Sequence, residues 1–343
     1  MKSNLLVICF YFLLINSCFA QINHKNYNIL FYNLENLFDT KNNPVTDDDE
    51  YTPGGAKHWT FNRLNKKLSN LSKVILNASG WIPPDLIAVC EVENRYVLEK
   101  LIKDTPLVKY PYKIIHKESP DPRGIDVALL YNDQTFFPLE YDYIPLTNEK
   151  GNIINSREIL YVNGIIDNSD TLHIFINHWP SRYRGILETT HARKRAAIKL
   201  RHLIMQAQKI YTNPKIVITG DFNDQPSDES LMIHLNAEYP VEQPSKTALY
   251  NLSFEWMKDE VQTLKHQSQW NVFDQFIVSG SLLTQNKSLY TSPDYAQILN
   301  LPFLTETDYR YGNIKLNRTY NGYKYHGGFS DHLPVLLKLK TGF

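Results

Sequence analysis

A run of apolar residues leads directly into a polar turn at Ile216-Val217-Ile218-Thr219-Gly220-Asp221-Phe222-Asn223-Asp224. Successive apolar, β-branched residues are typical of a strand that is covered on both faces. In an extended or gently turning backbone Asp221 and Asn223 point to the same side, at the sheet edge where α/β proteins bind ligands. An Asp- and Asn-rich turn without a catalytic role has the same composition. The stretch therefore predicts a buried strand with a candidate site at its end.

Similar apolar runs predict further strands along the chain. The full set is Asn28–Leu34, Asp85–Val92, Tyr112–His116, Asp126–Tyr131, Ile159–Ile166, Leu172–Asn177, Lys215–Thr219, Val272–Val278 and Val335–Leu339. Apolar residues at three- and four-residue spacing predict two helices, one from Leu64 to Ala78 and one from near Glu188 to Ile210. Strands that alternate with helices and are buried on both faces indicate an α/β sandwich, and we expect residues 21–343 to form a single domain.

The segment from Gln285 to Gly327 has a different composition. It is rich in asparagine and poor in aliphatic residues, and its tyrosines are Tyr290, Tyr295, Tyr309, Tyr311, Tyr320, Tyr323 and Tyr325. We expect a long irregular, functional loop here. Its tyrosines are suited to stacking on a base or sugar, and also to packing on the surface of an ordered loop.

Two histidine motifs stand next to predicted strands. They are Phe329-Ser330-Asp331-His332-Leu333-Pro334-Val335 and Phe175-Ile176-Asn177-His178-Trp179-Pro180-Ser181-Arg182. A carboxylate beside an imidazole, as at Asp331 and His332, supplies a metal ligand and a base in one segment. His178 ends a strand, and the guanidinium of Arg182 could bind a phosphate. A chance Asp-His pair and a merely hydrogen-bonded histidine would give the same patterns.

Three more polar residues stand at the ends of predicted strands. Asn33 and Glu91 each close a strand, and Asp274 lies at the head of another. Carboxylates are the hard oxygen ligands that Mg²⁺ prefers, and a Mg²⁺ site typically uses one or two of them with water and substrate phosphate. Glu91 together with Asp331 would suit such sparse ligation.

The first 20 residues have the layout of a signal peptide. Lys2 precedes an apolar run that is shorter than the roughly 20 residues of a membrane-spanning helix, and Cys18 and Ala20 are small enough for a cleavage site. We expect a secreted or periplasmic protein without stable membrane insertion. Alternatively, Ile15–Cys18 is a lipobox that leaves a lipidated Cys18 at the N-terminus, although Asn16 fits that pattern poorly.

The mature chain is close to neutral. The whole sequence has 36 basic and 36 acidic side chains, of which only Lys2 lies in the first 20 residues. A strongly basic chain would favour tight nucleic-acid binding, so this balance favours transient substrate contact or a small phosphate ester. Cys90 is the single cysteine after residue 20, which excludes an intramolecular disulfide. We expect a monomer whose stability comes from its core.

Taken in chain order, the motifs resemble the endonuclease/exonuclease/phosphatase superfamily, which includes DNase I-like nucleases, abasic-site endonucleases, inositol polyphosphate 5-phosphatases and bacterial neutral sphingomyelinases. The resemblance runs from about Tyr27 to Leu339. It implies an α/β fold of the DNase I-like type, a four-layer α/β/β/α sandwich of two facing mixed β-sheets with the site at one edge. It also implies hydrolysis of a phosphoric ester with Mg²⁺, or alternatively Mn²⁺ or Ca²⁺.

The resemblance assigns metal and phosphate roles to four residues. Asn33 and Glu91 match the first metal-site positions, and Asp331 matches a further metal-site carboxylate. His178 matches the histidine that contacts the scissile phosphate. The metal and this histidine would then offset the charge that develops on the phosphate.

The resemblance also assigns the residues around the attacking water. Asp221 and Asn223 match the pair beside the water and the phosphate oxygen, and Asp274 with His332 matches a carboxylate-histidine dyad. Either His332, oriented by Asp274, or Asp221 itself would take a proton from water for in-line attack. The sequence leaves this choice open.

Other segments are similar to one secreted bacterial branch of the superfamily. They are Asn33–Asp39, Arg123–Tyr131 and Trp179–Arg182. Arg123 and Arg182 are candidate contacts of the substrate phosphate, with surface ion pairs as the alternative. Glu35, Glu93 and Asp126 are candidates for supporting the metal ligands from behind.

Three functions are compatible with these motifs. The leading hypothesis is an extracellular nuclease with nucleic acid as substrate, although the chain is neutral and has no obvious basic groove. The second is a phosphatase or phospholipase C-like enzyme for a phosphorylated small molecule or lipid headgroup, although no apolar membrane-binding hairpin is evident. The third is a non-catalytic phosphate-binding protein of the same fold, and the presence of every core motif residue argues against it.

Overall fold

The computed structural model describes residues 25–80, 82–166, 170–182, 185–266, 268–284, 288–309 and 313–341. The predicted signal peptide, the alternative lipidation site at Cys18 and the tyrosine at position 311 lie outside the described residues. Within the described ranges, no helix is both long enough and apolar enough to cross a membrane.

Strands and α-helices alternate up to about residue 116, and most of the later elements are strands. In chain order the strands are β1 (Asn26–Leu37), β2 (Leu86–Val92), β3 (Tyr112–His116), β4 (Asp126–Asn132), β5 (Phe136–Ile144), β6 (Ile159–Ile166), β7 (Asp170–His178), β8 (Lys215–Asp221), β9 (Ala237–Glu238), β10 (Leu249–Asn251), β11 (Leu264–His266), β12 (Gln269–Asn271), β13 (Asp274–Ser279), β14 (Leu289–Tyr290), β15 (Ala296–Ile298), β16 (Thr305–Asp308), β17 (Asn313–Leu316), β18 (Tyr320–Asn321), β19 (Lys324–Tyr325) and β20 (Val335–Thr341). The α-helices are α1 (Phe61–Asn77), α2 (Arg95–Lys103), α3 (Ile186–Ile210) and α4 (Gly280–Leu283). Single 3₁₀ turns lie at Asp49–Tyr51, Pro106–Lys109, Glu255–Lys258 and Pro293–Tyr295, and a π turn lies at Ser230–His234.

Most of the strands belong to two mixed sheets. The first sheet has the order β14-β20-β1-β2-β4-β3, and β15 also pairs with β20. The second sheet has the order β5-β6-β7-β8-β13-β10-β9. The pairs β1–β2 and β7–β8 are parallel, whereas β20–β1, β2–β4, β6–β7 and β8–β13 are antiparallel.

Alternation of side chains along the strands produces the layers. In β8, Val217 packs in the core between the sheets, whereas Ile216 and Ile218 pack with α3. In β1, Phe31 lies between the sheets, and Leu30 lies in the cluster formed with α1 and α2. Each sheet is thus covered by the other sheet on one face and by helix on the other. The structure confirms the α/β/β/α sandwich.

The sequence predicted most of this framework. Every predicted strand overlaps a strand of the two sheets, and α1 and α3 confirm the two predicted helices. Helix α2 and strand β5 were not predicted. Helix α2 is only nine residues long and begins at Asn94, whose Oδ1 accepts a hydrogen bond from Val97 N at 3.2 Å.

The prediction of a long irregular loop from Gln285 to Gly327 was wrong. In the described part of this segment, β14 and β15 pair with β20, and two hairpins follow, β16 with β17 and β18 with β19. These strands are short and mainly polar or aromatic, so they have no apolar run that would reveal them. Tyr320 packs against Trp59 and Tyr325, as expected for tyrosines that order a loop.

The strands β1 and β2 are irregular where they approach the site. The pairing of β1 with β2 shifts register after Asn33, and the pairing of β2 with β4 shifts between Cys90 and Val92. Glu35 and Glu91 have left-handed backbone conformations, with φ of 49° and 58°. A bulge of this kind turns a side chain out of the regular alternation, which brings the Glu91 carboxylate toward the second sheet.

A buried histidine of β7 makes the stability of the fold depend on pH. His173 is 1% exposed, with its Nδ1 2.9 Å from the hydroxyl of Tyr161 and its ring against Tyr211. Burial lowers the pKa of His173 to about 4, compared with about 6.5 in an unfolded chain. Because the unfolded chain takes up the proton first, stability that is present above pH 6.5 is lost as the pH falls toward 4.

We expect His173→Gln to reduce this acid sensitivity. The loss of unfolding free energy between about pH 7 and about pH 4.5, measured by urea unfolding, should shrink by about 2 kcal/mol. The control is His202→Gln, which changes an exposed histidine of α3 and should keep the wild-type loss. An identical loss in His173→Gln and wild type would show that protonation of His173 is not linked to unfolding.

Candidate active site

Three polar side chains stand side by side at one edge of the second sheet. His178 of β7 is paired in register with Asp221 of β8, and Asp221 is paired with Asp274 of β13. Gly220 permits the close approach of β7 and β8, because a Cβ at this position would lie 2.2 Å from the carbonyl oxygen of Asn177. The Gly-Asp sequence thus combines tight strand packing with a carboxylate at the strand end.

Asp221 lies at the centre of the site. Its Oδ2 accepts a hydrogen bond from Asn33 Nδ2 at 3.2 Å. The same oxygen is 3.7 Å from His178 Nε2 and 3.9 Å from His332 Nε2. Burial raises the pKa of Asp221 to about 7, although the charge of His332 opposes this rise. A carboxylate in this range can take up a proton near neutral pH.

His332 and Asp274 form a buried pair behind Asp221. His332 Nδ1 is 2.7 Å from Asp274 Oδ2. Burial alone would lower the pKa of His332, but the Asp274 carboxylate raises it well above its ordinary value. The Asp274 carboxylate therefore favours the charged imidazolium, in which Nδ1 donates to Asp274. Ser330 fixes the segment, because its Oγ accepts from His332 N and donates to the carbonyl oxygen of Asn33.

His178 has the opposite charge state. Its Nε2 lies 3.8 Å from Glu91 Oε1 as well as 3.7 Å from Asp221. Burial, followed by the charges of Arg157 and Arg123, lowers the pKa of His178 well below its ordinary value. The Nδ1 of His178 has no hydrogen-bond partner among the described residues. The site therefore combines a neutral histidine with a charged one.

The predicted metal ligands are carboxylate and amide oxygens from three segments of the chain. Glu91 Oε2 accepts a hydrogen bond from Asn36 N at 3.0 Å, and Asn33 Oδ1 accepts one from Glu35 N at 2.9 Å. Burial and then the like charge of Asp331 raise the pKa of Glu91. The two carboxylates therefore lie close enough to repel each other.

These donors fit a hard divalent cation. Within the described ranges, no group of three or more His, Cys, Asp and Glu side chains has the arrangement of a metal site. A Mg²⁺ or Mn²⁺ site needs only one or two carboxylates, however, because water and substrate phosphate complete its shell. Glu91, Asp331 and the amide oxygen of Asn33 would hold the cation, which would relieve the repulsion between the carboxylates and supply positive charge to a phosphoryl oxygen.

Comparison with protein families agrees with this geometry. The sequence model of the endonuclease/exonuclease/phosphatase family matches residues 28–341. The chain belongs to this family. Members of the endonuclease/exonuclease/phosphatase family are phosphoric ester hydrolases, and the superfamily generally depends on a divalent metal. The coarse function of the chain is therefore that of a phosphodiesterase- or nuclease-like hydrolase.

Solved structures with the family fold are similar in shape at low sequence identity. An endonuclease/exonuclease/phosphatase family protein from Bacteroides thetaiotaomicron has a TM-score of 0.56 and 13% identity, with 93% of this chain and 96% of that chain covered. D. rerio TDP2 complexed with a single-strand DNA product has a TM-score of 0.55 and 13% identity, with 92% and 99% covered. These likenesses support the fold alone. A comparison with curated proteins found no match.

Of the two arginines predicted to contact phosphate in this family member, Arg123 acts electrostatically on the metal-site carboxylate Glu91. Burial has the larger effect on the pKa of Glu91 and raises it, whereas the charge of Arg123 lowers it. Burial lowers the pKa of His178, and the charge of Arg123 adds to this effect. Its side chain is 46% exposed, and its Nε is 3.4 Å from Asp121 Oδ1. A loosely held, accessible guanidinium at this place is compatible with the predicted phosphate contact.

Arg182 is used differently. Its Nε donates to the carbonyl oxygen of Asn223 at 2.7 Å, and its Nη2 donates to Asp224 at 2.6 Å and Asp228 at 2.5 Å. Arg193 also contacts Asp224, at 2.7 Å. These are the ion pairs that were the alternative for Arg182, and they connect its segment to the end of β8. Its contact with phosphate stays a prediction.

The backbone leaves the extended conformation directly after Asp221. Asn223 has a φ of 51°, and its N–H donates to Asp221 Oδ1 at 2.9 Å. Its side-chain Nδ2 donates to the carbonyl oxygen of Trp179 at 3.1 Å. The Asp- and Asn-rich turn that was the alternative for this stretch is present, because the Asp221 side chain accepts from Asn223 N and closes it. Asn223 ties this turn to the strand end that carries His178.

The residues expected to support the metal ligands are also differently placed. Glu35 bonds to Arg318, which in turn donates to Asp331, so Glu35 reaches the site through one intermediate. Glu93 Oε2 instead accepts a hydrogen bond from Asp39 N at 2.5 Å. Asp126 is 2.8 Å from the imidazole of His116. The hydrogen bonds described for Glu93 and Asp126 involve none of the predicted site residues.

Sequence analysis missed three cations near the site. Arg318 bonds to a metal-site carboxylate, and Arg157 donates to the carbonyl oxygen of Trp179 at 2.8 Å. Lys67 of α1 is 1% exposed and lies 3.7 Å from Glu35 Oε2. A signal exists for Lys67, because it follows Leu64 by three residues on the apolar face of α1. No local pattern distinguishes Arg157 or Arg318 from surface arginines.

The Asp274–His332 pair predicts a positioning effect. We expect Asp274→Asn to lower kcat about 100-fold, because His332 loses the carboxylate that orients it and holds it in the charged form. The measurement is the initial rate on bis-p-nitrophenyl phosphate across a pH series. Asp294→Asn removes an exposed carboxylate as a control and should change nothing. A wild-type pH–rate profile for Asp274→Asn would exclude this role.

Proposed function

We propose that the chain is a secreted, divalent-metal-dependent phosphodiesterase with nucleic acid as its substrate. The observation that carries the proposal is the position of Asp221, with its Oδ2 3.7 Å from the neutral His178 and 3.9 Å from the charged His332. A proton acceptor and two donors to phosphoryl oxygens therefore converge at one sheet edge.

Within this proposal Asp221 is the general base. His332 is held as an imidazolium by Asp274, so it has no lone pair with which to accept a proton from water. Asp221 takes the proton of the attacking water as the water oxygen bonds to phosphorus. The P–O bond to the ester oxygen on the opposite side breaks, and solvent supplies the proton to the leaving oxygen. His332 and His178 then donate hydrogen bonds to the phosphoryl oxygens on which charge develops.

Aromatic side chains next to the metal-site carboxylates favour a substrate with bases. Tyr51 stacks on Phe38 with ring centroids 4.3 Å apart. Burial, and then the charges of Glu50 and Glu91, raise the pKa of Tyr51. Tyr323 is 68% exposed on the hairpin β18–β19. Bases of single-stranded nucleic acid stack on such rings, and D. rerio TDP2 has been solved with a single-strand DNA product.

Hydrolysis of a small phosphate ester is the second candidate. The equal numbers of basic and acidic side chains favour it, because the chain has no net positive charge to attract a long polyanion. Both candidates use the same catalytic groups and differ in the surfaces around them.

An activity panel tests the proposal. DNA, RNA, bis-p-nitrophenyl phosphate, inositol phosphates and sphingomyelin are each incubated with Mg²⁺ or Mn²⁺, and in parallel with a chelator. We expect cleavage of single-stranded nucleic acid and of the diester, loss of both with chelator, and recovery when excess Mn²⁺ is added. Cleavage that survives chelation would contradict the metal mechanism. No turnover of any ester would support a non-catalytic binding protein.

Secretion has its own test. Residues 1–20 would be removed, leaving Gln21 at the N-terminus of the mature protein. N-terminal sequencing of protein recovered from the medium or periplasm checks this expectation. A membrane-bound product that begins with a lipidated Cys18 would contradict it and support the lipobox alternative.

A further inference from the structure

Arg318 occupies an unusual position between two carboxylates at the edge of the site. Its Nε donates to Glu35 Oε1 at 3.1 Å, and its Nη2 donates to Asp331 Oδ2 at 2.7 Å. Both carboxylates are largely buried, with side chains 5% and 21% exposed, whereas the Arg318 side chain is 40% exposed. The guanidinium is therefore fixed by two largely buried carboxylates and is partly accessible to solvent.

The backbone around Arg318 is fixed by the same glutamate. Glu35 Oε2 accepts a hydrogen bond from Thr319 N at 2.6 Å, and Oε1 is 3.4 Å from Tyr320 N. The buried ammonium of Lys67 lies 3.7 Å from Glu35 and donates to the carbonyl oxygen of Phe329 at 2.5 Å. One carboxylate thus positions both the side chain of Arg318 and the backbone that follows it, which reduces the entropy that a bound ligand would have to remove.

Arg318 has donors left for a ligand. A guanidinium carries five N–H groups, and the two bonds to Glu35 and Asp331 use two of them within the described part of the chain. Its charge also interacts with Glu91, the central predicted metal ligand. Free donors on a fixed planar cation beside a metal site are suited to two-pronged binding of a phosphate.

The bond to Asp331 places Arg318 in competition with a cation. Arg318 Nη2 donates to Asp331 Oδ2 at 2.7 Å, and the same carboxylate is a predicted metal ligand. A divalent cation held by Asp331 would repel the guanidinium, because both carry positive charge. If Asp331 held the cation, its negative charge would balance the cation and no longer balance Arg318. A phosphate oxygen can then neutralise the positive charge of Arg318.

We propose that Arg318 is a further substrate-phosphate contact of this site and that it competes with the divalent cation for Asp331. This inference rests on the proposed metal-dependent function. In the free chain Arg318 balances the charge of Asp331. With Asp331 holding the cation, the guanidinium would pair with the substrate phosphate instead. Binding of the metal and binding of the phosphate are therefore cooperative.

The test is a pair of binding measurements with opposite expected signs. For Arg318→Ala, isothermal titration with Mn²⁺ should show about tenfold tighter binding, because a competing positive charge has been removed. Inorganic phosphate, titrated into the Mn²⁺-loaded variant, should bind about tenfold more weakly, because two charge-assisted hydrogen bonds are lost. The KM for the diester should rise by a similar factor.

Two further variants keep the test decisive. Arg318→Lys retains the charge but loses the planar fork, so it should bind Mn²⁺ as the wild type does and bind phosphate more weakly. Lys315→Ala is the matched control, because it removes a cation of the nearby strand β17. Lys315 Nζ pairs with Glu306 Oε1 at 3.2 Å, and its loss should leave both affinities unchanged.

Other results would contradict the role proposed for Arg318. If Arg318→Ala weakens Mn²⁺ binding, or leaves phosphate binding unchanged in both Arg318 variants, the residue is merely structural and the proposal fails. The same is true if the wild-type chain binds no Mn²⁺. Normal Mn²⁺ and phosphate binding without hydrolysis of any diester would contradict the proposed function alone.

Discussion

Asp221→Asn should lower kcat for a phosphodiester by about 10³- to 10⁴-fold while leaving the fold intact. The substitution keeps the shape and one oxygen of the side chain and removes the capacity to take a proton. Asp221 Oδ2 is the oxygen that faces Asn33 and both histidines, so the substitution removes the proton acceptor at the centre of the site. The measurement is kcat on bis-p-nitrophenyl phosphate at saturating Mn²⁺.

Stability distinguishes loss of a base from loss of structure. Burial raises the pKa of Asp221 to about 7, so the ionised carboxylate costs the folded state stability as the pH rises above its ordinary range. Asn carries no charge, and we therefore expect Asp221→Asn to unfold in urea at pH ~8 with a free energy at least equal to that of wild type. Asp142→Asn, on the exposed face of β5, controls for the change of net charge. Wild-type kcat in Asp221→Asn would exclude Asp221 as the base.

The core strands were predictable because burial on both faces produces a run of consecutive apolar residues in the sequence. Ile216, Val217 and Ile218 are apolar in succession, since one faces the other sheet and two face α3. Strand β5 has no such run of consecutive buried apolar residues. It is an edge strand with Pro138 at a register shift, and its large apolar side chains at Phe137, Leu139 and Tyr141 are exposed. Neither residue type nor alternation identifies such a strand from sequence.

The site was predictable where a strand delivers the residue. His178, Asp221 and Asp274 follow from strand ends, because pairing in register places them side by side. The positions of Glu35 and Glu91 depend on left-handed backbone conformations that glutamate rarely adopts, so no propensity predicts them. Arg318 lies 283 residues from its partner Glu35, in a segment of short polar strands. Contacts of this kind require the folded structure.

Glu91→Gln should weaken Mn²⁺ binding by at least about 100-fold and lower kcat by about 10³-fold at low metal concentration. Glu91 lies between the two halves of the site, with Oε2 bonded to Asn36 N and Oε1 3.8 Å from His178. Glutamine keeps the size and one oxygen but removes the negative charge that attracts the cation. Calorimetry measures the affinity, and kcat is followed as a function of Mn²⁺ concentration.

The same substitution two residues further along the chain provides the control. Burial raises the pKa of Glu93 to about 8, so its side chain is largely neutral at pH 7 and glutamine closely resembles it. Glu93→Gln should therefore keep wild-type Mn²⁺ affinity and kcat. High Mn²⁺ should partly restore Glu91→Gln, because a weakened site can still be filled by mass action. If Glu91→Gln binds Mn²⁺ as tightly as wild type, the cation does not use this carboxylate. If affinity falls and kcat does not, the cation binds at Glu91 but takes no part in hydrolysis.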